Sequence, residues 1–389
     1  MSPIDPIAAA THADPYGFYA ALAATTALHR DESHGMWVAA SAAAVEAVLT
    51  SPSCRVRPAN VPVPPALAGT AAGRIFGALV RMNDGAAHCP LKRAIADACG
   101  RIDRARAASV GSREAAALVP RTPLEAFAFV LPAHVVAALL GVPADMRPDI
   151  ARWTADFAAA IGATASPDET ARGIDAARHL LDAAHALLRA PADLPPDALL
   201  AALAREARHA GRVEPDIIAA NAIGLLSQTY DATAGLIGNT LLAFAAHPAA
   251  GAEARTDDRA LTAFIDEVQR WDPPIQNTRR FAAADATIAG TAVREGDAIL
   301  VLLAAANRDP AANPDPARFD PARADRRSFT FGHGAHACPG RTLALVIAAS
   351  AVRALLARGL DPATLVRPAR YRRSANARIP LLATRDACP

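Results

Sequence analysis

Lysine is almost missing from this chain: of 40 basic residues only Lys92 is a lysine, and the rest are arginine. Together with the alanine content this reads as coding bias rather than function. The 38 acidic residues leave a net charge of +2, so no nucleic-acid or membrane-surface partner is expected. Cysteine is scarce too. The five (54, 89, 99, 338 and 388) form no CxxC pair and no zinc-like spacing, which fits a reduced protein and a cytoplasmic location. Residues 1–14 lack a basic region followed by an apolar core, so no signal peptide is expected. No long apolar run is present either. The most apolar stretch, 126–143, is broken by Pro132 and His134 and reads as core helix rather than membrane span. No Gly/Ser linker, charge block or internal repeat divides the 389 residues, and we expect one domain.

What is abundant is alanine within a 52% hydrophobic composition, which favours a large, mainly α protein with an ample core. Pro15 starts an amphipathic helix, 34–39 reads as a turn and short strand, and 60–70 is a proline-rich loop. Helical patterns follow over 150–189, 197–208 and 214–247, short strands over 285–303, and a last hairpin over 372–384.

Chemistry concentrates in the eleven residues 331–341, FGHGAHACPGR. Glycines there permit backbone angles closed to other residues and let a flat ligand approach the main chain. Pro339 suits the first position of a helix over 342–356, which would set Cys338 at a helix N-terminus, where a thiolate is stabilised. A thiolate so held can be the axial ligand of a haem iron; a buried structural cysteine is the alternative for a lone thiol.

Three other patterns are notable. His88 and Lys92 stand four apart on one helix face and suit an anionic partner, or form a solvated basic face with Arg93. Glu267 and Arg270 stand three apart between apolar residues. The run Ser227-Gln228-Thr229-Tyr230-Asp231-Ala232-Thr233 is a polar cluster inside an apolar helix, which is costly unless it faces a partner or pocket.

Phe331, Gly332, Gly334, His336, Cys338 and Gly340 resemble the haem-thiolate signature of the cytochrome P-450 family, soluble bacterial type. Glu267/Arg270 and the proline-rich 307–316 resemble its other marks, in the same order. The resemblance implies a large helical domain with small β-sheets around a buried haem, over 1–389 and with no fused reductase. It implies haem b (iron protoporphyrin IX) with Cys338 as metal ligand, cradled by Phe331, Gly332 and Gly340. His88, Lys92, Arg280 (with Arg279 as competitor) and His336 would hold the propionates. Lys92 stands where arginine is usual, supplying charge without a bidentate fork. Glu267 and Arg270 would join a third residue, Arg318, in a buried structural cluster. Phe76, Leu79, Tyr230, Gln276 and Asn277 would touch substrate, and 150–189 would form a lid.

The family usually has a small Ala/Gly-Gly pair, an acid and an alcohol on its long helix. Here Gln228-Thr229 replaces the small pair, Asp231 is the acid and Ala232 holds the alcohol position. Thr233 follows, but one residue turns a helical side chain by about 100°. The implied activity is monooxygenation, with hydroxylation of a small secondary-metabolite intermediate by dioxygen. Electrons would come from a separate ferredoxin or flavodoxin and its NAD(P)H-dependent reductase, docking on Arg93, Arg101, Arg326 and Arg327, and a monomer is expected. Ala232 keeps other outcomes open: oxidative coupling, desaturation, nitration or peroxide-driven oxidation. A haem protein without turnover is the third reading. Asn313 stands where many relatives have phenylalanine.

Overall fold

The computed structural model describes residues 5–211 and 214–384; Cys388 lies outside them. The chain is mainly α-helical with three small sheets, as composition and resemblance led us to expect. It forms two compact units: Met1–Ala59 with Ala234–Cys338 and Val352–Pro389, and Asn60–Thr233 with Pro339–Ala351.

The first unit carries the sheets. Its helices are α1 (Tyr16–Ala23) and α2 (Ala42–Thr50), and its first strands β1 (His29–Asp31), β2 (Met36–Ala39) and β3 (Cys54–Arg55). Strands β4 (Thr278–Ala282), β5 (Ala286–Ile288), β6 (Thr291–Val293) and β7 (Ala298–Val301) follow later in sequence, and β8 (Arg370–Tyr371) with β9 (Pro380–Leu381) close the chain. The main sheet has the order β1-β2-β7-β4-β3, with β2 and β7 parallel and its other neighbours antiparallel. Arg280 and Ala282 are the buried members of β4, while Arg279 and Phe281 are only half-buried, the alternation that a pleated strand imposes. Val45, Val48, Ile299, Val301 and Phe329 pack a core against that sheet.

The second unit is a stack of helices: α3 (Ala71–Ala78), α4 (Cys89–Gly100), α5 (Arg104–Leu118), α6 (Leu124–Leu140), α7 (Arg147–Ala160), α8 (Pro167–Arg189) and α9 (Leu199–His209). The stretch read as one helical pattern over 150–189 is therefore two helices. Ser166 starts the second with a capping box: its hydroxyl accepts from the Glu169 N–H, while Glu169 accepts from the Ser166 N–H. Gly173 lets α7 and α8 close on each other, since a Cβ there would lie 2.1 Å from Ala160 Cβ. Pro132 is carried inside α6, whose buried residues include Phe127, Leu131, Val135 and Leu139. Among the described residues no helix is long and apolar enough to cross a membrane.

Three helices meet on Glu114 of α5. Its carboxylate accepts from Arg147 Nη1 of α7 at 2.7 Å and lies 3.6 Å from His134 Nδ1 of α6. Burial keeps the His134 imidazole below its ordinary value, against the upward pull of Glu114.

Helix α10 (Pro215–Ala246) runs from the second unit's residues into the first's. After it come α11 (Pro248–Ala254), α12 (Asp258–Trp271), α13 (Leu303–Asn307) and α14 (Arg341–Ala357). In the first unit Asn239 of α10 donates to the Asp272 carbonyl at 2.8 Å. There Arg378 also forms a clasp. Its Nε donates to Asp272 Oδ1 at 2.7 Å, its Nη1 to the His12 carbonyl at 2.5 Å and its Nη2 to the Ala13 carbonyl at 3.0 Å. Tyr16 donates to the same Asp272, and burial first, then that carboxylate, raises the phenol pKa well above its ordinary value.

Candidate functional site

In the first unit the cysteine loop is closed by one backbone bond, from the Cys338 N–H to the Phe331 carbonyl at 2.7 Å. Gly332 (φ +72°) and Gly334 (φ +65°) turn the chain between them. Both angles are strained for a residue with a Cβ. A Cβ on Gly334 would also lie 3.1 Å from the Leu49 carbonyl, so the loop presses on the end of α2. His336 and Phe331 are half-buried, and Cys338 is exposed. The buried structural cysteine is thereby set aside. Helix α14 begins at Arg341, with the Ala344 N–H bonded to the Gly340 carbonyl at 2.9 Å. Pro339 is therefore not its first residue. A turn over Pro339 and Gly340 intervenes.

Behind the loop Glu267 and Arg270 of α12 are both fully buried and paired twice, at 2.6 and 3.0 Å. The third member is Arg326 rather than Arg318. Arg326 Nε donates to Glu267 Oε2 at 2.8 Å and its Nη1 to Asp266 at 2.8 Å. Arg323 Nε approaches Glu267 Oε1 at 3.7 Å. Arg318 has a 64% exposed side chain turned outward to Asp320, and contributes only its carbonyl, which accepts from Arg270 Nη2 at 3.1 Å. The chain turns at Asp315 (φ +46°) and brings its arginines back to α12 only on the return. Arg326 is thus spent inside, and Arg327 pairs with Glu46, so neither is a free docking cation.

Asn313, unexplained from sequence, is fully buried and doubly bonded to Arg327. Its Nδ2 donates to the Arg327 carbonyl at 2.8 Å, and its Oδ1 accepts from the Arg327 N–H at 3.0 Å. It also donates to the Asn307 carbonyl at 3.1 Å. A phenylalanine could make none of these bonds.

Two expected substrate contacts are structural instead. Gln276 is fully buried, donating to the Pro273 carbonyl at 2.7 Å and accepting from the Tyr19 hydroxyl at 3.0 Å. Asn277 is buried and donates to the Ala375 carbonyl at 2.9 Å, tying down the last hairpin. Both side chains are engaged by partners that include groups far away in sequence, Tyr19 for Gln276 and Ala375 for Asn277. Arg280 is 6% exposed and donates to the Arg279 carbonyl at 2.8 Å.

In the second unit His88 is buried just before α4 and Lys92 half-buried one turn on, its N–H bonded to the His88 carbonyl at 2.8 Å. Helix α10 bares one stripe along its length. Leu225, Gln228, Thr229 and Ala232 are exposed or half-buried at helical spacing, while Leu226, Ser227 and Thr233 are buried. Gln228 Nε2 donates to the Gly224 carbonyl at 2.9 Å and Thr229 Oγ1 to the Leu225 carbonyl at 2.7 Å. Both polar groups are bonded back onto their own helix. Asp231 is half-buried, whereas the Thr233 hydroxyl is fully buried with no hydrogen-bond partner.

Three expected lining residues are half-buried or buried. The Tyr230 ring packs on Phe129 of α6 with centroids 5.3 Å apart. Phe76 is 8% exposed, and Leu79 is fully buried, with Cδ2 2.8 Å from where a Gly224 Cβ would be. Arg74 of α3 borders a cavity of about 370 Å³, shared with Ala78, Leu181, His185 and Asp216.

A family model described as cytochrome P-450 matches residues 195–358. The fold of the whole chain is shared with solved structures of that family. Mycobacterium smegmatis CYP164A2 is 29% identical, covers 96% of this chain and 95% of its own, and superposes with a TM-score of 0.74. The chain is similar to the cytochrome P-450 family, in fold over its whole length and in sequence over its second half. Another structure, that of CalO2, gives a TM-score of 0.79 at 26% identity over 99% of this chain and 98% of its own. Among curated family members, 6-deoxyerythronolide B hydroxylase of Saccharopolyspora erythraea is 35% identical over 60% of this chain and 57% of its own length. Cytochrome P-450 monooxygenase PikC of Streptomyces venezuelae is 34% identical over 63% and 58%. The chain spans just under three fifths of the length of these curated relatives. That family holds a haem by a cysteine thiolate, and the exposed cysteine of a glycine-turned loop has the chemistry that such a group requires.

Proposed function

We propose that this chain is a haem-thiolate monooxygenase that oxidises a small organic substrate, of the kind found in secondary-metabolite biosynthesis. Dioxygen is the oxidant, with electrons delivered by a separate ferredoxin or flavodoxin and its NAD(P)H-dependent reductase. The observation that carries the reading is Cys338, exposed at the mouth of a loop whose glycines hold left-handed angles. The relatives named as hydroxylase and monooxygenase support it.

In this reading the Cys338 thiolate would hold the iron of haem b, and Phe331, Gly332 and Gly340 would shape the approach to the ring. His88, Lys92, Arg280 and His336 take the propionates. Bound haem supplies the activation of dioxygen and the transfer of oxygen to carbon. The chain's own part is to admit protons and exclude bulk water. Here α10 is unusual. Gln228 and Thr229 are anchored to the Gly224 and Leu225 carbonyls, so each must leave its bond to pass a proton. Ala232 offers neither donor nor acceptor. Asp231 then supplies the acid, with water or a polar group of the substrate completing the path, and the buried Thr233 stays outside it.

The thiolate is tested directly. The haem-loaded protein, reduced and exposed to carbon monoxide, should show the long-wavelength Soret band of thiolate-ligated haem; a band at the shorter wavelength of imidazole-ligated haem would refute the reading.

The methyl group of Ala232 on the bared stripe favours a second outcome, oxidation without ordinary hydroxylation, such as coupling, desaturation, nitration or peroxide-driven chemistry. Ala232→Thr should raise the fraction of NAD(P)H consumption that ends in product. Product per NAD(P)H, measured with the native substrate, checks this; an unchanged ratio would mean that this position does not govern proton delivery.

A further inference from the structure

Arg81, in the second unit, carries a charge that nothing above uses. It sits in the short turn Val80–Met82 between α3 and α4. Its Nε is buried without a hydrogen-bond partner, and no carboxylate among the described residues lies within ion-pairing distance of it. Burial alone lowers its pKa from the ordinary arginine value, with no neighbouring charge contributing. The residue as a whole is half-buried, and enclosing part of a guanidinium is unfavourable unless an anion or hydrogen bonds compensate. Arginines elsewhere in the chain meet this requirement, as Arg270 does with Glu267.

The turn is also held rigidly. The Val80 N–H donates to Asn221 Oδ1 at 2.8 Å, and Asn221 Nδ2 donates to the carbonyls of Ala78 at 3.0 Å and Ile217 at 2.9 Å. On the other side Asn83 Nδ2 donates to the Gly77 and Leu79 carbonyls at 2.9 and 2.8 Å. Leu79 packs against Gly224, one turn before Gln228 on the bared stripe of α10. The backbone that carries Arg81 is thus bolted on both sides, and to the helix that offers the only polar stripe described above.

We propose that Arg81 is a substrate-recognition residue that binds a carboxylate of the molecule oxidised, which makes an organic acid the substrate class. The planar fork of arginine matches a carboxylate in bidentate geometry. This inference rests on the proposed function, in which four other residues already serve the two propionates of haem. The same chemistry has one other source, a haem propionate itself, and the test separates the two.

The haem-loaded wild type, Arg81→Gln and Arg81→Lys are titrated with benzoate, cinnamate, decanoate and dodecanoate, each beside its methyl ester. The readouts are the shift of the haem from low to high spin and the thermal shift. At least one acid should bind the wild type about 10-fold or more tighter than its ester, the worth of a charge-assisted pair. That preference should vanish in Arg81→Gln and persist in part in Arg81→Lys, with haem content unchanged. Acids and esters that titrate alike in the wild type, or an acid preference that survives Arg81→Gln, would overturn the proposal. So would loss of haem from Arg81→Gln without any acid preference in the wild type, since Arg81 would then serve a propionate. If the wild type lacks the thiolate band, the proposed function fails by itself, while the acid-against-ester preference in thermal shift still decides the role of Arg81.

Discussion

Cys338→Ser should remove the long-wavelength Soret band of the reduced, carbon-monoxide-bound protein and bring turnover to background, while the fold persists. Serine keeps the size of the side chain, and the bond from the residue 338 N–H to the Phe331 carbonyl is made by backbone. The substituted atom is exposed, and exposed substitutions away from buried features usually change stability by no more than about 0.5 kcal/mol. What is lost is the anion. A cysteine thiol ionises near pH 8.5 and is pulled lower by a cation, metal or helix terminus, whereas a serine hydroxyl stays neutral. The informative control is Cys89→Ser, because Cys89 is the other exposed cysteine among those described. Its absorption spectrum should match the wild type. A Cys338→Ser protein that kept the band would move the ligand to another thiol.

Glu267→Ala should be the most damaging single substitution for stability, at about 3–5 kcal/mol. It strands the fully buried Arg270 and takes both close ion pairs from its carboxylate, that with Arg270 and that with Arg326. The Asp320 N–H loses its acceptor as well. Arg318→Ala should change stability by less than about 0.5 kcal/mol, since its exposed side chain meets only Asp320 and its useful atom is a carbonyl that alanine retains. Urea-denaturation midpoints of the two variants check the contrast. A large loss from Arg318→Ala would restore that residue to the buried cluster.

The pair of outcomes shows where sequence reading reached and where it stopped. The helix pattern around Glu267 and Arg270 sets both on one face, so their pairing is legible from spacing. The third arginine comes from a loop, and Arg318, Arg323, Arg326 and Arg327 differ only in where an irregular backbone turns. A left-handed Asp315 decides it, and no periodicity announces that. The glycine-rich cysteine loop was legible because its residue types are demanded by backbone angle. Pro339, by contrast, looked like a helix start because the loop's closing bond to Phe331 leaves no mark in composition.

The polar residues divide in the same way. Gln276, Asn277 and Asn313 read from sequence as substrate contacts or as a puzzle, yet Asn277 and Asn313 are bonded to carbonyls distant in sequence and Gln276 to the distant Tyr19 hydroxyl. Amides can serve a ligand or a loop equally well, and only tertiary packing distinguishes the two. Arg81 escaped for the opposite reason. In a chain with so many arginines, one without a counter-ion has no sequence signature at all.

The Arg378 clasp has a topological consequence. By gripping the His12 and Ala13 carbonyls from 366 and 365 positions away, one guanidinium turns a linear chain into a ring. Because the loop-closure term grows only logarithmically with length, so large a ring is little harder to close than one of half its size. The first and last described segments are therefore a single locus. A tag, a truncation or a crosslink at either one acts on the same joint, and the protein would feel it at both.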